Sequence, residues 1–305
     1  MPKLYGLLCD FLTPEQIQQL EQARKNTNPE IQLYDDVMND FNSQRFDDAF
    51  EKLDDYMKNA PKRFESDEEN VYYTFSNDIE ITLFEEYVQE HRHITLIPPE
   101  IHVVELYYYY AYLLVEKNQL SDAEKCLKKA LMLNPVSNQV IHELIDLYKR
   151  QFDWENMMQY VQLAFRYAYT PDFLARTYRH LGYYYAEIHK PEISAALYIY
   201  SLKYDDHQAA YHELEYLEHI GENTNLTKEE VIKTLTDNDI QLVANEFITK
   251  EYRDYGDKLS EEEKLEEALQ MYALAYSLDD CMENQMRYKM AQAAVDGSGE
   301  VNITL

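Results

Sequence analysis

Apolar residues recur along most of this chain at three- and four-residue intervals, as in helices that bury one stripe and expose the other. Two stretches close in the same way. Ala49 is followed twelve residues later by Pro61, and Ala123 by Pro135. The segments between them, 50–60 and 124–134, are both amphipathic with helical spacing. A small residue permits two helices to cross closely, and a proline ends the second because it has no N–H to continue the ladder. This is the pattern of the second half of a helix–turn–helix repeat of about 34 residues.

The same register predicts a repeat over 30–63, with Leu33 and Val37 on its first helix and Ala49 and Leu53 on its second. It predicts three consecutive repeats over 104–208 and another over 249–282, carrying Tyr252, Gly256, Ala268, Tyr272 and Ala275. Within 104–208 the slots hold Ala111, Leu114, Ala123 and Leu127, then Ile141, Leu144, Met157 and Val161, then Tyr178-x-x-Leu181-Gly182-x-x-Tyr185. Gly182 is expected where two helices touch backbone to backbone. Capping boxes are expected at Thr13, Ser121 and Thr227, each followed three residues later by Gln or Glu. An N-terminal helix is expected within 1–29, less regular helices over 209–248, and a capping helix with a glycine-containing tail over 283–305. Residues 64–103 fit the repeat poorly. Val71 to Phe75 reads as extended, Asp78 to Gln89 as a helix, and Ile94 to Ile97 as a short apolar stretch. An irregular repeat and an inserted element both fit that pattern.

Composition adds three constraints. Of 305 residues, 46% are hydrophobic, with 6 glycines and 9 prolines, which suits a large core of long helices with few breaks. The net charge of -29 disfavours nucleic acid and anionic membrane as partners. That charge sits at the two ends, because residues 121–210 hold 10 Lys and Arg against 11 Asp and Glu. Cys9, Cys126 and Cys281 are far apart and lack metal-ligand spacing, which points to reduced thiols in a cytoplasmic protein. Leu4 to Leu12 is apolar but too short for a span and lacks a basic flank.

On the slots just quoted, the chain resembles tetratricopeptide-repeat proteins. Residues 171–205 are also similar to a group of bacterial tetratricopeptide proteins of unassigned function. The resemblance implies an all-α, right-handed solenoid of helical hairpins, with the first helix of each repeat lining a concave face that binds peptides or extended protein segments.

The slots expected to face that groove hold Tyr108 and Tyr112, then His142, Asp146 and Lys149, then Arg176, Arg179 and Tyr183. Tyrosine offers large contact area at low entropic cost, and paired arginines can take a carboxylate bidentately. The expected ligand is therefore a protein or peptide segment with an acidic or C-terminal carboxylate group. The alternative is that the arginines only offset carboxylates such as Asp172 and Glu187. The slots that carry a carboxylate clamp in co-chaperone members of the family hold Tyr108, Tyr109 and Tyr112, then His142, Glu143 and Asp146, without the required lysine and asparagine. No phosphate-binding loop, nucleophile elbow or metal-binding helix motif is present. His91 and His93 point apart on a helix and have no third ligand. These observations predict a non-enzymatic binding scaffold that needs no cofactor or metal. A peptide-sensing regulator of the Gram-positive tetratricopeptide type is the alternative, and a hydrolase with an unrecognised site is weaker still.

Overall fold

A computed structural model describes residues 28–59 and 63–297. The expected N-terminal helix with Thr13 and Cys9, the proline at 61, and the tail beyond Gly297 lie outside the described residues. The chain packs as two compact units, divided after Val140. The first contains α1 (Pro29–Asn42), α2 (Phe46–Asn59), β1 (Asn70–Tyr73), α3 (Asp78–Tyr87), β2 (His93–Leu96), α4 (Val103–Glu116) and α5 (Leu120–Leu133). Helix α6 (Asn138–Gln151) spans the division. It is followed by α7 (Trp154–Tyr167), α8 (Pro171–Glu187), α9 (Pro191–Ser201), α10 (Gln208–His219), α11 (Lys228–Asp237), α12 (Glu246–Glu261), α13 (Leu265–Leu278) and α14 (Met282–Val295). The protein is all-α and built from helical hairpins.

Five hairpins share one turn. The pairs α1–α2, α4–α5, α6–α7, α8–α9 and α12–α13 each place one residue in the left-handed region: Gln44, Asn118, Phe152, His189 and Glu263, with φ between 56° and 60°. In every case the next residue's N–H donates to the carbonyl five positions back, from Arg45 to Asp40 (2.8 Å) through Lys264 to Leu259 (2.9 Å). This 6→1 bond satisfies a carbonyl orphaned at the end of the first helix. No glycine occupies the left-handed position, so these turns are held by packing on either side. Ala49, Ala123, Met157, Ser194 and Ala268 follow on the second helices and are all buried.

The close-contact glycines occupy matching positions. A Cβ on Gly182 would lie 3.1 Å from the Tyr198 ring, and one on Gly256 would lie 2.7 Å from the Tyr272 ring. A tyrosine from the returning helix packs against each glycine, closely enough at Gly256 that a Cβ could not be added without a shift. At Gly182 the contact between the two helices is made by this ring.

Residues 64–103 form an insertion. Strands β1 and β2 pair in parallel, Val71 opposite Ile94 and Tyr73 opposite Leu96, with α3 as the crossover. Val71 and Tyr73 face inward while β2 is exposed along its length. Asn77 caps α3 by accepting from the Glu80 N–H at 3.0 Å. The buried Glu80 carboxylate accepts from Asn134 (2.9 Å), and the Thr74 N–H donates to the Leu133 carbonyl (2.9 Å). Those bonds fasten the insertion to the C-terminal end of α5.

The Thr227 capping box forms as expected, with Glu230 closing it. The one expected at Ser121 does not, because α5 begins a residue earlier and places Ser121 inside the helix. In the second unit, the hydroxyl of Tyr178 donates to the Gln241 carbonyl (2.8 Å), and those of Tyr200 and Tyr204 donate to Leu242 (2.6 and 2.7 Å). Tyr252 donates to the Tyr169 carbonyl at 2.8 Å, which seats α12 beside the loop before α8. Among the described residues, no helix is long and apolar enough to cross a membrane.

Candidate binding site

The eight residues expected to line a groove divide between the units. Tyr108 and Tyr112 belong to the first, and His142, Asp146, Lys149, Arg176, Arg179 and Tyr183 to the second. In each unit the local chemistry decides what they do.

On α6 and α8 the charged residues meet one another. Arg176 donates from Nη2 to Glu143 Oε1 (2.9 Å) and to Asp146 Oδ2 (2.7 Å). Lys149 Nζ lies 3.1 Å from Asp146 Oδ1 and 4.5 Å from the centre of the Tyr183 ring. Arg179 Nη1 lies 3.1 Å from Asp205 Oδ2, and the Arg179 side chain is only 13% exposed. Burial opposes ionisation of Asp146, but the positive groups around it, Lys149 and Arg176 among them, hold its carboxyl well below the usual range. Both arginines are thus neutralised within the chain. Their partners are Glu143, Asp146 and Asp205 rather than Asp172 and Glu187. The carboxylate receptor expected from their spacing has its cations already engaged.

His142 is not a groove residue. It is fully buried, stacked on Phe173 with ring centres 5.8 Å apart and lying 5.2 Å from the His180 ring. Among the described residues, neither ring nitrogen of His142 has a hydrogen-bond partner, and neither does Nε2 of His180. Burial pushes the His180 pKa down to about 3. Burial, with His180 and Arg176 nearby, also lowers that of His142 well below the ordinary value. The physical reason is helix phase: Ile141, Leu144, Ile145 and Tyr148 are all buried, so the apolar stripe of α6 is wide enough to include His142.

In the first unit the tyrosines join an aromatic strip. Tyr109 lies 4.9 Å from Phe41, Tyr112 lies 5.9 Å from Phe41, and Tyr108 packs edge-on against Tyr109 at 5.2 Å (centre to centre). Tyr34 stacks on His102 at 3.9 Å and lies 6.4 Å from Tyr109. Phe46 caps the end near Phe41 at 5.5 Å. Tyr112 is 41% exposed and Phe46 44%, while Tyr34, Phe41, Tyr108 and Tyr109 are half-buried. Burial, Tyr109, Glu105 and Asp35 raise the Tyr34 pKa, and burial and Glu105 raise that of Tyr109.

Sequence reasoning missed the α1 half of this strip. Tyr34, Met38 and Phe41 form a second helical stripe beside the Leu33 and Val37 stripe that explains the core. The doubling was the available signal. Of the four consecutive tyrosines on α4, Tyr110 is buried, while Tyr107, Tyr108 and Tyr109 are half-buried.

The first unit also holds a cavity of about 470 Å³ lined by Tyr56, Phe64, Val103, Tyr107 and Met132. The cations around it are paired within the chain, Lys58 with Asp54, Arg63 with Glu30 and Lys129 with Glu65. Burial pushes the Cys126 thiol up to about 11 and keeps it protonated. Among the described residues, no group of three or more His, Cys, Asp and Glu side chains is arranged to hold a metal ion. No protein-family model matches the chain, and no curated protein matches its sequence.

Proposed function

We propose that this chain is a non-enzymatic binding module of the tetratricopeptide type, and that it takes a peptide or extended protein segment on the aromatic strip of α1 and α4. The single observation that carries this reading is the strip itself. First helices of successive hairpins present Tyr34, Phe41, Tyr108, Tyr109 and Tyr112 side by side, with Tyr112 and the neighbouring Phe46 substantially open to solvent. Rigid aromatic side chains dominate binding energy at protein interfaces because they bury much area for little lost entropy. The shared turn geometry of five hairpins supports the repeat assignment, and with it the likeness to bacterial tetratricopeptide proteins.

A random-peptide display selection on the immobilised full chain tests the proposal. Recovered peptides are expected to lose at least about tenfold in affinity to a Phe41→Ala plus Tyr112→Ala variant whose helical circular dichroism is unchanged. Peptides that bind wild type and variant equally would overturn it.

A further inference from the structure

Strand β2 leaves one edge of the two-stranded sheet unpaired. The N–H groups of His93 and Ile97 donate to the carbonyls of Glu69 and Tyr73, both at 2.7 Å. Backbone groups of successive strand residues alternate in direction, so Thr95 also turns its own toward β1. Ile94 and Leu96 therefore turn theirs outward. Among the described residues, the N–H and carbonyl groups of these two have no hydrogen-bond partner. Their side chains are open as well, Ile94 at 38% and Leu96 at 60%. Both lie opposite the buried Val71 and Tyr73, so they continue the apolar face of β1 into solvent. The edge is also held in place. Where the strand begins, the Glu90 carboxylate accepts from the N–H groups of His91 and Arg92, both at 2.9 Å. Natural edges are commonly blunted by lysine, an internal proline or a bulge, and β2 has none of these. Its four-residue length, with Pro98 and Pro99 beyond, bars growth into a larger sheet and leaves room for one short strand.

An open strand edge specifies its occupant more narrowly than an apolar patch does. Another extended backbone is what places N–H and carbonyl groups in register about 4.8 Å away. A second copy of this chain is disfavoured on two counts. Four residues offer far less than the about 800 Å² per partner that a stable dimer buries, and each copy carries a charge of -29. We infer that β2 is a docking edge for an extended segment of a partner protein, which pairs antiparallel with Ile94 and Leu96 and carries apolar side chains at alternate positions. The two partner residues opposite Ile94 and Leu96 exchange both backbone bonds with them and lie on the same face. This surface is separate from the aromatic strip, and the inference does not depend on the role proposed for that strip.

Amide hydrogen exchange read by NMR on the full chain tests it, with Gly-Ser-Thr-Val-Thr-Val-Thr-Ser-Gly as the probe peptide. Without peptide, the Ile94 and Leu96 amides should exchange fast and the Thr95 amide slowly. At saturating peptide, exchange at Ile94 and Leu96 should slow by at least about tenfold. In fluorescence anisotropy with the labelled peptide, Leu96→Pro removes an outward N–H and no inward one, and should weaken binding about tenfold. Leu96→Lys, at a side chain already exposed, should weaken it in the same direction and serves if the proline variant fails to fold. A peptide with N-methylvaline at both valines keeps the side chains, loses the pairing N–H groups and should bind at least about tenfold less tightly. Phe41→Ala plus Tyr112→Ala should change the affinity less than about twofold, as for sites without shared partners. Ile94 and Leu96 amides that stay unprotected, or equal binding of the N-methylated peptide, would overturn the inference. If the aromatic pair of substitutions removes binding, the peptide sits on the strip and the inference fails. If these amides become protected without peptide as protein concentration rises, a second copy is the occupant and the inference fails as well.

Discussion

The aromatic strip on α1 and α4 and the charged lattice on α6 and α8 start from the same position in the repeat and end differently. Each is built from surface slots on first helices. On α6 and α8, three cations meet carboxylates of the chain: Arg176 with Glu143 and Asp146 on the neighbouring helix, Lys149 with Asp146 one turn away on its own helix, and Arg179 with Asp205. On α1 and α4, rings pack against rings and leave area open. Charge on a first helix is therefore a poor marker of a binding face when the neighbouring helix can answer it. Aromatic side chains that outnumber the available core positions are a better one.

Truncation should separate the two regions most strongly. Arg176→Ala leaves Glu143 and Asp146 without their main partner. Complete burial would make that cost about 3–5 kcal/mol; with the Arg176 side chain 31% exposed, about 2–3 kcal/mol is expected. Urea unfolding followed by fluorescence of Trp154, the chain's single tryptophan, reads it from within the second unit. An unchanged midpoint would mean that the lattice is not structural.

Acid should sharpen the contrast next. His142 and His180 are held neutral in the fold well below the pH at which they protonate in the unfolded chain. The unfolded state then binds more protons, so stability falls as pH drops from about 6.5 toward His180's folded value of about 3. The slope approaches about 1.4 kcal/mol per pH unit for each histidine. Below about pH 4, protonation of Asp146, whose pKa is depressed in the fold, adds to the loss. His142→Phe should flatten the slope above pH 5 by roughly half, one of two titrating protons having been removed. An unaltered slope would assign the acid sensitivity elsewhere.

A smaller effect compares matching turns of the two units. Phe152 has φ of 56° and is 67% exposed, whereas Asn118, at φ of 59°, is a residue type that tolerates this conformation. Phe152→Gly should raise stability by about 0.5–1 kcal/mol, and Asn118→Gly by less, because relief of left-handed strain exceeds the added chain entropy only for the bulky residue. Thermal melts of both variants would check the order. The smallest change is expected for Tyr112→Ala, within about 0.5 kcal/mol in the same melts, as for surface substitutions. A large loss there would mark the ring as a packing residue instead of an open contact.

The hairpins were legible because close helix crossing demands small residues at fixed spacing, as Ala49, Ala123, Gly182 and Gly256 show. The tyrosines lying across Gly182 and Gly256 were less so, since those contacts depend on which ring of the returning helix turns inward. The β1–α3–β2 insertion was legible as elements and illegible as an arrangement. Pairing between Asn70–Tyr73 and His93–Leu96 is set by how α3 and α5 dock, through Glu80, Asn134 and Thr74. For the candidate site, Tyr108 and Tyr112 were visible as excess aromatic residues, but Tyr34 and Phe41 were hidden beside a stripe sufficient for the core. The arginines were misleading because Glu143 and Asp146 lie about one repeat earlier in the chain, a distance at which helical spacing carries no information.

The tyrosine clamp on residues 241–242 bears on how the second unit assembles in time. Each hairpin closes over a loop of a few residues and can form on its own, within the microsecond range of local helical contacts. The bond from Tyr178 to Gln241 spans 63 residues, and the bond from Tyr252 to Tyr169 spans 83. Long-range closures must lose more loop entropy before any contact compensates for it. The kinetic bottleneck of this unit is therefore the return of the chain after α10 and α11, and rapid-mixing refolding should show hairpin helicity appearing before α12 settles against Tyr169.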